Sequence, residues 1–151
     1  MIDDLDRMMA VMEAAFEPRW GEAWTRRQVS DSLAFVHTHY RLVDMDGGVP
    51  EGDRLAAGFT LVRAAPGEEE LLLIGVIPNA RGRRLGTQLI EAAIAEARMR
   101  RAERLFLEAR HNNPAIELYA RIGFEQIGRR KDYYSTPSGD RLDALTMAYM
   151  L

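Results

Sequence analysis

The chain has 151 residues, 47% hydrophobic and 28% charged, enough apolar material for one core and too much for intrinsic disorder. It has no cysteine, which excludes disulfides, thiolate zinc, iron–sulfur clusters and a cysteine nucleophile. The net charge is −3 and every basic residue except Lys131 is arginine, so broad nucleic-acid binding through a basic face is not expected.

Asp3 can cap a first helix carrying Met8, Met9, Met12, Ala15 and Phe16 at helical spacing, ended by Pro18. Thr25 can cap a second, carrying Val29, Leu33 and Phe35. Strands are predicted over 40–45, after which Asp46-Gly47-Gly48 turns, and over 55–65, after which Pro66-Gly67-Glu68 turns. A central strand over 70–77 leads through 78–82 into a long helix with the stripe Leu85, Leu89, Ile90, Ala93, Ile94 and Ala97. A short strand over 105–107 precedes a helix that Asn112 or Asn113 caps, with Pro114 in its first turn and Gly123 at its end. Strands over 124–127 and 142–149 close the chain. The expected fold is α/β, one domain over 1–151, with a mixed sheet and helices on both faces. The longest strongly apolar run, 71–77, is far short of the roughly 20 residues a membrane helix needs. The first residues lack the basic and apolar regions of a secretory signal, so a cytoplasmic location and no membrane partner are expected.

The segment Arg81-Gly82-Arg83-Arg84-Leu85-Gly86-Thr87 lies between the central strand and the longest helix. The first N–H groups of a helix lack internal partners and carry partial positive charge, which suits a pyrophosphate. Glycine permits close approach and guanidinium groups add charge-assisted bonds. A solvated helix start explains the same residues. Downstream, Asn112-Asn113-Pro114-Ala115-Ile116-Glu117-Leu118-Tyr119 and Arg121-Ile122-Gly123-Phe124 follow in a joint order that ordinary core packing does not explain.

Here the chain resembles the GNAT superfamily of N-acetyltransferases. Arg81 and Gly86 match the ends of its Arg/Gln-x-x-Gly-x-Gly/Ala signature, with Arg84 where the first glycine usually stands. The 112–124 segment matches Asn-x-x-Ala-Ile-x-Leu-Tyr-x-x-x-Gly-Phe. Leu107-Glu108-Ala109-Arg110, Arg129 to Tyr134, Gly139 to Ala148, and Phe16 with Trp24-Thr25 resemble the RimI group, which acetylates the N-terminal alanine of a small-subunit ribosomal protein. Glu108 and Asn112 are four apart where five is expected. The resemblance implies a mostly antiparallel GNAT sheet, and acetyl-coenzyme A lying where the fourth and fifth strands splay. It implies cofactor contacts at Ile74, Gly75, Val76, Arg81, Gly82, Arg83, Arg84, Leu85, Gly86, Thr87, Asn112 and Tyr119. It also implies an acceptor peptide near Trp24, Tyr133 and Tyr134.

Acyl transfer from a thioester to an α-amine, which is largely protonated at neutral pH, requires a proton acceptor and then a donor for the leaving thiolate. The resemblance gives the first role to Glu108 and the second to Tyr119. Alone, Glu108 reads equally as a surface carboxylate at a strand end and Tyr119 as a core aromatic. Backbone N–H groups around Ile74-Gly75-Val76 would hold the oxyanion, although Gly75 can equally mark a bulge. His37 and His39 alternate along an extended segment without a third ligand at matching spacing, so no metal is expected. His111 reads as a solvated loop residue beside Glu108. A related enzyme acting on a small amine, or a module that binds coenzyme A without catalysis, would share most of these features. Tyr133 and Tyr134 also fit a half-buried strand end.

Overall fold

The computed structural model describes residues 2–151. Asp3 forms a reciprocal capping box with Asp6 and starts α1 (Asp4–Ala15). Pro18 to Trp20 is a single 3-10 turn, and Thr25 with Gln28 makes a second capping box for α2 (Arg26–Leu33). Phe35 lies beyond α2 and is exposed, so it does not extend that helix's buried stripe. The strands β1 (Thr38–Val43), β2 (Gly58–Ala65) and β3 (Glu68–Val76) follow. Then come α3 (Leu85–Met99), β4 (Arg104–Arg110), α4 (Ala115–Ile122), β5 (Glu125–Ser135) and β6 (Arg141–Met150).

Several boundaries differ from the sequence expectation. β1 starts two residues earlier than expected, at Thr38, and stops at Val43, because the buried Asp44 side chain accepts the N–H groups of Asp46 and Gly48 and ends the strand in a turn. β2 begins only at Gly58. β4 runs to Arg110, so Glu108 lies inside a strand and not at its end. β5 extends to Ser135, well beyond the expected 127, and Tyr133 and Tyr134 lie at its end, where the strand-end reading put them.

The sheet has six strands in the order β1-β2-β3-β4-β6-β5, antiparallel except for β3 and β4. The strands that the family resemblance numbers fourth and fifth are therefore β3 and β4 here. On one face α3 and α4 pack over Leu105, Leu107 and Met147; on the other α1 and α2 pack over Phe59, Leu61 and Leu73. Apolar burial on both faces is what holds the layers, at about 1.5–3 kcal/mol for each fully buried large side chain.

Two irregularities shape the site. First, β3 and β4 pair only at Glu68–Glu70 against Arg104–Phe106, and beyond these residues each strand is unpaired on that side. In β3 the register to β2 slips between Leu71 and Leu73, leaving Leu72 as an extra residue. The slip is visible in the packing: Leu71 joins the α3 side of the core and Leu73 the α1 side, although residues two apart in a regular strand share a face. Second, β5 bulges between Arg130 and Tyr134, with Asp132 at φ 52°. Asp143 stabilises this bulge by accepting the Asp132 N–H at 2.8 Å and Arg129 Nε at 2.7 Å.

Candidate active site

The split between β3 and β4 opens a cleft of about 1170 Å³. One wall is the free edge of β3 at Ile74, Gly75 and Val76; the other is α4 with Leu118, Tyr119, Arg121 and Ile122. Its floor is the start of α3. There Arg84 takes the N-cap position in a left-handed conformation (φ 62°, ψ 21°), and its side chain caps nothing. The first intrahelical bond runs from Gln88 N–H to Arg84 O at 3.0 Å. The N–H groups of Leu85, Gly86 and Thr87 thus have no partner inside the helix. An aspartate or serine at this position would have satisfied one of them; an arginine leaves all of them for an anion. The preceding Gly82, at φ 83°, supplies the other left-handed turn of the loop.

Arg81, Gly82, Arg84, Leu85, Gly86 and Thr87 all line this cleft, whereas Arg83 does not. Among the described residues the guanidinium groups of Arg81 and Arg84 have no carboxylate partner, in contrast to Arg100 and Arg104 at the far end of α3, which are paired to Glu69 and Glu68. Unsatisfied amides, unpaired guanidinium groups and a long cleft fit a ligand with a diphosphate and an extended arm. Gly75 has a different reason from the one expected. A Cβ there would lie 3.0 Å from the Phe16 ring and 3.3 Å from Phe59, on the α1 face, so the glycine makes room for Phe16. The bulge sits at Leu72, not at Gly75.

Asn112 lines the cleft, and its Oδ1 accepts Arg110 Nη1 at 2.7 Å. It does not cap α4. The N-cap is Pro114, and Asn113, one residue ahead of it, accepts the Ala115 N–H at 2.9 Å. The turn between β4 and α4 closes through Asn113 N–H to Arg110 O at 2.9 Å.

A second cleft, of about 400 Å³, lies beside the first and is lined by Trp24, Gln28, Leu72, Glu108 and Tyr134. Tyr133 lines neither cleft. Its ring meets Tyr134 edge-on at 5.2 Å and carries the Arg130 guanidinium at 5.0 Å. Glu108 is mostly buried and sits 3.3 Å from Arg130 Nη2. Burial pushes the Tyr134 phenol up to about 12, and the nearby charges of Glu108 and Glu22 add to this.

Tyr119 lines both clefts. Its ring is buried against Phe124 at 5.9 Å, and α4 ends immediately behind it where Phe124 N–H returns to Tyr119 O at 2.9 Å. Burial holds its phenol strongly in the protonated form, with the charge of Glu22 acting in the same direction. A neutral phenol at the meeting point of two clefts is placed to donate a proton.

The sequence reading missed the group next to it. Glu22 Oε1 accepts Arg110 Nε at 2.9 Å, and the Arg110 guanidinium stacks 3.9 Å over Trp20. Arg110 was legible only as part of a motif, and Glu22 carried no local signal, because its partner lies 88 residues away. Among the described residues no group of three or more histidines and carboxylates is arranged to hold a metal ion. No described helix is long and apolar enough to cross a membrane.

The split sheet, the open helix start and the phenol between two clefts suit a protein that brings a phosphate-bearing ligand to a second substrate. The acetyltransferase (GNAT) family pattern matches residues 5–124, and the chain belongs to that family of acyl-transferring enzymes. It is 35% identical over 94 residues to the ribosomal protein bS18-alanine N-acetyltransferase of Haemophilus influenzae, covering 62% of this chain and 64% of that one. It is 33% identical over 121 residues to the N-alpha-acetyltransferase RimI of Mycobacterium tuberculosis, covering 79% and 72%. The crystal structure of the ribosomal-protein-S18-alanine N-acetyltransferase from Escherichia coli matches with a TM-score of 0.79 at 25% identity, covering 99% of this chain and 90% of that one. The GNAT fold and the likeness to the RimI group expected from the motifs both hold.

Proposed function

We propose that the chain is a cytoplasmic acetyl-coenzyme A-dependent N-acetyltransferase that modifies a protein N-terminal amine, with the N-terminal alanine of a small-subunit ribosomal protein as its acceptor. The observation that carries this reading is the placement of Tyr119 on both clefts, one floored by the open start of α3 and the other walled by Glu108. The relatives' names supply the acceptor.

Bound in the larger cleft, acetyl-coenzyme A supplies an acetyl group activated as a thioester. The N–H groups of Leu85, Gly86 and Thr87, with Arg81 and Arg84, hold its diphosphate. The unpaired edge of β3 offers N–H and C=O groups to an extended amide-bearing arm, as an edge strand offers them to any partner. N–H groups on this edge, where the Leu72 bulge re-aims the backbone, stabilise the charge that develops on the carbonyl oxygen. In the smaller cleft Glu108 takes the proton that the amine must lose, directly or through one water. The amine nitrogen then attacks the thioester carbon, the C–S bond breaks, Tyr119 gives its proton to the departing sulfur, and the second proton that the nitrogen sheds on becoming an amide restores the phenol. No covalent enzyme intermediate is needed. Trp24 and Tyr134 flank the acceptor's first residues.

The test is a panel of short peptides differing only in the first residue, with polyamines and amino sugars as competitors, read by mass spectrometry. Acetyl on the α-amine of alanine-initiated peptides is the expected result. Turnover of small amines alone would reassign the substrate class, and no turnover of any amine would leave a coenzyme A-binding module.

A further inference from the structure

Six residues line both clefts: Phe16, Trp20, Glu22, Ile74, Asn113 and Tyr119. Glu22 is the charged one among them. Glu108, by comparison, lines only the smaller cleft, and Arg110 only the larger. Glu108 and Arg110 are two apart on β4 and so project from the same face of the strand. A carboxylate bonded to Arg110 therefore stands closer to the junction than Glu108 does.

The carboxylate is held from several sides. Glu22 Oε1 accepts Arg110 Nε at 2.9 Å, while no hydrogen bond engages Oε2 among the described residues. Arg110 is itself fixed, by Asn112 Oδ1 at 2.7 Å and by the Trp20 ring at 3.9 Å. The Arg110 side chain is only 6% exposed and that of Glu22 26%, so the pair is rigid while one carboxylate oxygen still reaches the cleft. Glu22 lines the smaller cleft together with Tyr119 from α4 and Tyr134 from β5, and its charge acts on both phenols. A buried Arg–carboxylate pair contributes little net stability by itself, so stability does not explain why one is placed at this junction.

We propose that Glu22 is the anionic anchor of the acceptor site: it binds the acceptor's α-ammonium through its unshared oxygen, and it disfavours acceptors whose first side chain is acidic. This rests on reading the two clefts as acetyl-coenzyme A and acceptor sites. The division of labour is that Glu22 holds the ammonium at the junction while Glu108 takes its proton. The charged and titratable groups facing Glu22 are Arg110 from β4, Tyr119 from α4, Tyr134 from β5, and Glu17 and Arg19 from its own segment. None of these needs to titrate for the anchor to work; the amine does, near pH 8.

The experiment titrates an alanine-initiated hexapeptide into the coenzyme A-loaded chain by calorimetry, at pH 7 and at pH 9. Glu22→Gln keeps the shape and an acceptor for Arg110. Glu22→Asp keeps the charge and withdraws it by one methylene. At pH 7 both variants are expected to bind the peptide more weakly, Glu22→Gln by about tenfold or more, the scale of one lost charge-assisted contact. The gap should narrow at pH 9, where the amine is neutral. Coenzyme A affinity should be unchanged, and an aspartate-initiated peptide should gain on the alanine-initiated one. Wild-type peptide affinity in Glu22→Gln at pH 7 would overturn the proposal. So would an equal loss at both pH values accompanied by lost coenzyme A affinity, which would make Glu22 a support for Arg110 only, and so would a wild-type chain that binds no peptide. A wild-type chain that binds peptide through Glu22 but transfers no acetyl would overturn the acetyltransferase reading and leave the anchor standing.

Discussion

In the proposed mechanism Glu108 and Tyr119 divide the proton traffic between the amine and the departing sulfur. The carboxylate is held by Arg130, and the phenol is kept neutral by burial between Phe124 and the cleft. A phenol is protonated throughout the neutral range even at its ordinary value near 10, and burial raises that of Tyr119 further. Glu108→Gln and Tyr119→Phe are each expected to lower kcat on the order of 10²-fold with coenzyme A affinity unchanged, measured by steady-state kinetics and calorimetry. Both residues were singled out in the sequence only through the motifs that carry the family resemblance. Glu22 was not, because it enters the site only through a bond to Arg110 from the opposite end of the chain. Asn112 was legible as a site residue but not in its local role, since which of the neighbouring asparagines accepts an N–H at the start of α4 is decided by the turn and not by composition.

Among the elements, the start of α3 and the middle of β3 do most to shape the site. Arg84 is left-handed where a glycine would be unstrained, which costs about 1–2 kcal/mol. Arg84→Gly should therefore raise stability by up to about 1 kcal/mol in a denaturant titration, once the freer unfolded chain is counted. The same change should weaken coenzyme A binding through the lost guanidinium. In β3, Gly75→Ala would push a Cβ against Phe16 and Phe59 and is expected to destabilise by about 1–3 kcal/mol, since both rings are packed and cannot retreat. The apolar stripe of α3 was plain from its period. The bulge at Leu72 was not, because it falls within Leu71-Leu72-Leu73, where composition gives no sign of which residue is extra. The length of β5 was hidden for a related reason: its second half is a ladder property, set by β6 and by Asp143 filling the bulge.

At the scale of the whole molecule, one parallel pairing that stops after three residues turns a sheet into two diverging halves, with a helix start at one end of the gap and an acceptor wall at the other. The order of helices and strands, the two-faced packing and the position of the long helix all followed from periodicity and turn residues. Where the sheet splits did not, because strand pairing is long-range. Three tyrosines give the molecule an alkaline limit. Tyr40, Tyr119 and Tyr134 all have raised phenol values, by hydrogen bonding to Asp4 in the first case and by burial in the other two. The unfolded chain releases these protons near pH 10 while the folded one retains them. Stability is therefore fully present below pH 10 and falls as the pH rises through about 12, where Tyr40 and Tyr134 titrate. Tyr119→Phe should make that decline shallower in chemical denaturation at alkaline pH.

The most direct measurement is a calorimetric titration of acetyl-coenzyme A into the purified chain. The account requires saturable binding at one site per chain, weakened by salt and by Arg81→Ala, with thermal stabilisation of about 2.7 kcal/mol at a hundred times the dissociation constant. No binding at a ligand concentration on the order of 1 mM, a level at which even weak specific sites fill, would contradict it.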